Sequence, residues 1–169
     1  PQAREIHAST LVADMHSDIP TDVHRRRARG ETQVIERLHL PRLRRGGVSA
    51  CGMALNNDSF VGGMQADAAL RRVLEMLDAM EAEVAETPSL VWARSASEIA
   101  AGAASGQLAM LVGLEGGAAL GESLGTLRSL YRLGVRFVCL TWNYRNGIGD
   151  GVAEEESGGG LTRFGVAAV

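Results

Sequence analysis

The sequence is short of several things, and each shortage excludes something. Only two cysteines, Cys51 and Cys139, occur in 169 residues. Both lie in apolar, strand-like runs, so they read as reduced, buried thiols and not as a disulfide framework. No apolar run approaches the roughly 18–20 residues needed to span a bilayer, and the N-terminus lacks a signal-peptide pattern. The default compartment is therefore the cytoplasm. Charge of either sign is also scarce in net terms. A formal charge of -3 and a pI near 5.8 give no electrostatic case for nucleic acid or a membrane surface. The one basic cluster, Arg25, Arg26, Arg27 and Arg29, is soon followed by Glu31 and Glu36 and reads as a solvated loop. What the chain does have is 46% hydrophobic residues, ample for one core at single-domain length.

The chain is organised around Leu11 to Pro20. This stretch begins as an apolar run that reads as a strand buried on both faces, and it ends in His16 and Asp18. Side chains two apart on a strand project to the same side, so an imidazole and a carboxylate at that spacing can share one ion at bonds of about 2 Å. Pro20, which lacks an N–H for a ladder, is expected to close the strand. Thr21 to Gln33 has little periodicity and reads as a long loop, a lid candidate.

Further along, Leu38 to Gly47 reads as a short helix or turn ending at paired glycines, and Val48 to Leu55 as a second buried strand. Asn56 to Met64 is expected to be a loop. Leu70, Val73, Leu74, Leu77, Met80 and Val84 recur at helical spacing, predicting a helix over 67–86 with Arg71, Arg72, Glu75, Asp78, Glu81 and Glu83 on its solvated face. Ser89 to Ala93 reads as an accessory strand, and Ser95 with Glu98 as a capping box opening a small helix to Ala104. Leu108 to Glu115 is another apolar run ending in an acid. After Gly116 and Gly117 comes a helix carrying Leu124, Leu127, Leu130 and Leu133, with Gly134 as its cap. Val135 to Thr141 is a further strand, Glu154 to Gly160 a loop, and Thr162 the cap of a last helix.

Apolar strands separated by helices argue for a parallel sheet with helices outside it. Each strand ends in polar residues: His16 and Asp18, Asn56 to Asp58, Glu115, then Asn143 and Asn146. A (β/α)8 TIM-like barrel builds its active site at those C-terminal ends. Four strand–helix units are about half of such a barrel, which usually needs around 250 residues. The expectation is one domain, residues 1–169, forming the N-terminal half of a barrel.

These segments resemble the renal (membrane) dipeptidase family of metallopeptidases, bacterial type. The resemblance rests on DMHSDIP at 14–20, LPRLRRGGV at 40–48, GLEGG at 113–117, LTWNYRN at 140–146 and GLTRFG at 160–165, in the family's order. It implies a TIM-like barrel holding two zinc ions, with His16 and Asp18 on one ion and Glu115 bridging both. It implies hydrolysis of a dipeptide by metal-activated water, with Glu115 or Asp18 passing a proton to the leaving amine. The family's remaining ligands and substrate-binding residues lie in segments beyond Val169. Members of the mammalian type carry a histidine after Leu-Thr where this chain has Trp142; an indole can donate an N–H but cannot carry a proton charge. Trp142, Asn143 and Asn146 are then expected to wall the substrate pocket, and a homodimer is a possible assembly.

His7, His24 and His39 lack partner spacing and are not expected to ligate metal. Two other readings stay open. One is a different metal-dependent barrel hydrolase acting on cyclic amides or nucleobases, although those usually open with His-x-His and this chain has His-x-Asp. The other is an inactive half-barrel.

Overall fold

Strands and helices alternate along the chain. The structure, a computed structural model, describes residues 2–58 and 64–169, the side chains of 155–157 excepted. The elements in order are α1 (Gln2–Ser9), β1 (Val12–Ser17), α2 (Ile19–Arg27), α3 (Leu40–Arg45), β2 (Val48–Asn56), α4 (Ala66–Glu86), β3 (Leu90–Trp92), α5 (Ala96–Ala104), β4 (Leu108–Glu115), α6 (Leu124–Arg132), β5 (Val135–Cys139) and α7 (Arg163–Ala168). A π-helical turn, Ile35–His39, leads into α3, and 3₁₀ turns sit at Ala118–Leu120 and Val152–Ser157. The strands form one sheet in the order β1-β2-β4-β3, with β5 also paired to β4. The β1/β2 and β3/β4 ladders are parallel. This is the α/β fold with a parallel sheet expected from the alternation of apolar runs and helices.

By contact density the chain forms two compact units, Pro1–Ala54 with Met76–Val112, and Leu55–Glu75 with Gly113–Val169. In the first, Ala50, Cys51 and Met53 of β2 are buried with Ala109 and Met110 of β4, and with Val23, Ile35, Leu40 and Met80 from the helices. In the second, Leu55, Val73, Leu114, Leu120, Leu130 and Ile148 are buried. Gly113 matters in the second unit: a Cβ there would run into the Phe137 ring of β5. The α5 helix opens on the expected box. The Ser95 hydroxyl accepts the Glu98 N–H at 3.3 Å, and the Glu98 carboxylate accepts the Arg94 N–H at 2.6 Å.

Several expectations need correction. β1 is not buried on both faces: its residues are exposed or half-buried, Met15 at 52%. It stands at the end of the strand order, with β2 as its partner in the sheet. Pro20 opens α2 instead of merely ending a strand, because its missing N–H falls in the first turn, where no acceptor is needed. Thr21 to Gln33 is therefore helix as far as Arg27. Only Ile19, Pro20 and Val23 of α2 are buried, too few to show a period, and charge pairing supports the rest. Asp22 pairs with Arg25 and Arg26 on the next turn, and with His39 at 3.1 Å.

Glu83, expected on the solvated face of α4, is fully buried. Its carboxylate accepts from Arg27 Nη1 and from the Ile35 backbone N–H, both at 2.8 Å. Glu154 lies in a 3₁₀ turn and not in a loop. Cys139 is exposed while Cys51 is buried, and both are free thiols. Of the four leucines expected on one face of α6, Leu130 alone is fully buried, and Leu133 is exposed. Part of the expected Asn56 to Met64 loop lies outside the described residues.

Candidate metal centre

In the first unit, the β1/β2 ladder advances from Asp14↔Cys51 to Ser17↔Met53, three residues on β1 against two on β2. The extra residue is a bulge at Met15 and His16, the device by which a strand re-aims a side chain. Gly52 permits it, since a Cβ there would strike the Met15 carbonyl. The His16 N–H donates to Asp14 Oδ1 at 3.2 Å. Asp18 is the residue before α2, with φ −81 and ψ 12, and its carboxylate makes no capping hydrogen bond to the helix. The His16 imidazole Nε2 lies 3.8 Å from Asp18 Oδ1, both side chains open to solvent. The pair expected from the spacing is close in the structure. It meets across a bulge and a helix start, not by simple strand alternation.

In the second unit, Glu115 is the last residue of β4 and is 8% exposed. Its Oε2 accepts from Asn56 Nδ2 at 3.0 Å. Its backbone carbonyl accepts from the Asn57 N–H at 3.3 Å and from Asn57 Nδ2 at 3.1 Å. Asn57, fully buried, also donates to the carbonyls of Leu55 and Gly116, at 3.1 and 2.8 Å, and accepts the Ala119 N–H at 3.0 Å. Gly116 takes φ +87, which favours glycine, with Asp58 packed 3.4 Å from where a Cβ would stand. Sequence reasoning marked Asn56 to Asp58 only as a polar strand end. Three polar residues directly after an unbroken apolar strand were the available signal that the end is anchored.

Trp142, Asn143 and Asn146 follow β5 in the same unit. The carbonyls of Trp142 and Asn143 accept from the N–H groups of Val152 and Ala153, at 3.0 and 2.7 Å. Asn146 folds the turn: its Nδ2 donates to the Leu140 carbonyl at 2.9 Å and its Oδ1 accepts the Ile148 N–H at 2.8 Å. Beside this loop is a cavity of about 450 Å³ lined by Thr141, Asp150, Val152, Glu154 and glycines 151 and 158–160. Asn146 lines a different one of about 310 Å³, with Glu122 and Gln65. His7 Nε2 donates to the Gly46 carbonyl, 2.9 Å away, and His39 faces Asp22. Among the described residues no helix is long and apolar enough to cross a membrane.

The sequence profile of the membrane dipeptidase family, peptidase family M19, matches residues 1–169. Human dipeptidase 3 is 33% identical over 148 residues, which cover 83% of this chain and 29% of that protein. The crystal structure of dipeptidase AC, a metallopeptidase of family M19, superposes with a TM-score of 0.79 at 24% identity, covering 95% of this chain and 53% of that one. A metallopeptidase from Rhodobacter sphaeroides, liganded with a phosphinate mimic of the dipeptide L-Ala-D-Ala, gives a TM-score of 0.76 at 22% identity, covering 92% and 53%. The chain therefore spans about half the length of these solved structures, whose fold it shares, and under a third of the human relative. With a profile match along its whole length, the chain belongs to the membrane dipeptidase family, whose members are metallopeptidases.

Proposed function

We propose that the protein is a zinc-dependent dipeptidase, that residues 1–169 are the N-terminal half of its single barrel domain, and that His16, Asp18 and Glu115 are metal ligands. The carrying observation is Asp18. A carboxylate at the start of a helix ordinarily caps it, yet this one makes no cap bond and stands 3.8 Å from the His16 ring. Each of the three side chains offers one ligand atom, an imidazole nitrogen or a carboxylate oxygen. That nitrogen-and-oxygen donor set suits zinc. Zinc held there would supply Lewis-acid activation of water and of the scissile carbonyl. Glu115, buried and with one carboxylate oxygen held by an amide, would keep its second oxygen directed and would hand a proton to the leaving amine. Trp142 and Asn143 would wall the substrate pocket, with Asn146 fixing the turn that carries them.

The test is Glu115→Gln in the full-length protein. The expected outcome is loss of one zinc equivalent, read by metal analysis after gel filtration, and at least a hundredfold loss of kcat/KM on an L,D-dipeptide, on the order of one removed electrostatic group. Chelation of the wild type should abolish the activity and added zinc restore it. Two tightly held zinc ions together with full activity in Glu115→Gln would overturn the assignment.

A further inference from the structure

We infer that Asn56 and Asn57, consecutive at the end of β2, are positioning residues that set the backbone and the carboxylate of Glu115 separately. The inference rests on the reading of Glu115 as a ligand and goes beyond it. A glutamate has three rotatable side-chain bonds, so a burial site alone does not fix where its oxygens lie. Here the two levels are divided between neighbours. Asn57 holds the main chain: the two N–H groups of its amide are shared among the carbonyls of Leu55, Glu115 and Gly116, and its oxygen accepts from Ala119 beyond the Gly116–Gly117 turn. One fully buried side chain thereby ties the end of β2 to the end of β4 and to the turn after it. Asn56 holds the side chain: its Nδ2 donates to Oε2 of Glu115 at 3.0 Å, using one lone pair of one oxygen. A carboxylate accepts at about four positions, and this bond occupies one of them while restraining rotation of the group.

Asn56 itself is steadied from behind, since its backbone carbonyl accepts from Arg72 Nε at 2.9 Å. An amide suits the position for a chemical reason. A donor is required against Glu115, and a lysine or arginine there would add a positive charge beside a bound cation. Groups that orient a metal ligand typically carry 10–100-fold in metal affinity.

The experiment compares zinc affinity, by competition with a chromophoric chelator, and metal-free thermal stability for the full-length wild type, Asn56→Leu, Asn57→Ala and Glu115→Gln. Asn56→Leu keeps the branch point of the side chain and removes the donor. It should weaken zinc binding 10–100-fold while moving the metal-free Tm by no more than a degree or two, a separation that a purely structural residue would not show. Asn57→Ala should lower both. Should it fail to fold, Asn56→Leu still decides. Zinc affinity of Asn56→Leu within twofold of wild type, alongside a weakened Glu115→Gln, would overturn the inference. Unchanged affinity in Glu115→Gln would instead remove the ligand reading, and the inference with it.

Discussion

Two thiols of one chemistry sit in opposite surroundings. Cys51 is buried in β2, and burial, with the Asp14 charge nearby, pushes its thiol up to about 11 against a smaller lowering by the Ser17 hydrogen bond. Cys139 is exposed, its thiol donating to the Thr141 carbonyl at 3.0 Å. Since the thiolate is the reactive form, iodoacetamide at pH 8 should label Cys139 in the folded protein and spare Cys51 until denaturant is added. Peptide mass mapping checks this; equal labelling of both in native buffer would contradict the burial of β2. The sequence could not separate the two, because a short apolar run reads alike whether it lies mid-sheet or, as Val135–Cys139 does, ends in solvent.

Helix α2, barely visible in the sequence, is held by charge. α2 is tied to α4 through Arg27, whose guanidinium donates to Glu83 at 2.8 Å and to both oxygens of Glu86 at 2.8 Å. Glu83 has no exposure to solvent, so removing its cation leaves a buried, uncompensated carboxylate. Arg27→Leu is expected to lower the unfolding free energy by about 3–5 kcal/mol, measured by urea titration. The double variant Arg27→Leu/Glu83→Gln should recover most of that, because the neutral amide oxygen can still accept from Ile35. Elements with a strong apolar period, α4 and the β2 and β4 runs, were legible to within a residue or two. α2 was not, since it buries only three residues and part of its support, the Arg27 ties to Glu83 and Glu86, lies more than fifty residues away. The same holds at the site. His16, Asp18 and Glu115 were named from residue type and family motif, whereas the bulge that aims His16 and the Asn57 bracket depend on neighbouring strands.

At the scale of the whole molecule the acidic side chains set the response to pH. Glu86 is held below the usual carboxylate range by its hydrogen bonds from Arg27. For Asp22, burial pulls upward and is outweighed by hydrogen bonds from Arg25, Arg26 and His39, leaving it lowered too. A group whose folded pKa is depressed gives its full stabilisation above the unfolded value, about 3.9 for Asp and 4.3 for Glu, and loses it as pH falls through the folded one. Metal-free stability should thus be level from about pH 5 to about pH 8 and decline steeply below about pH 4, as followed by circular dichroism in urea. A decline beginning near pH 6 would point to histidine instead. The placement of β1 carries a practical corollary. With Leu11 and Met15 open to water and no second neighbour among the described strands, its outer flank is a template for any extended peptide. Residues 1–169 produced on their own are expected to coalesce through strand-to-strand association at this edge, read as a mass above the monomer in light scattering.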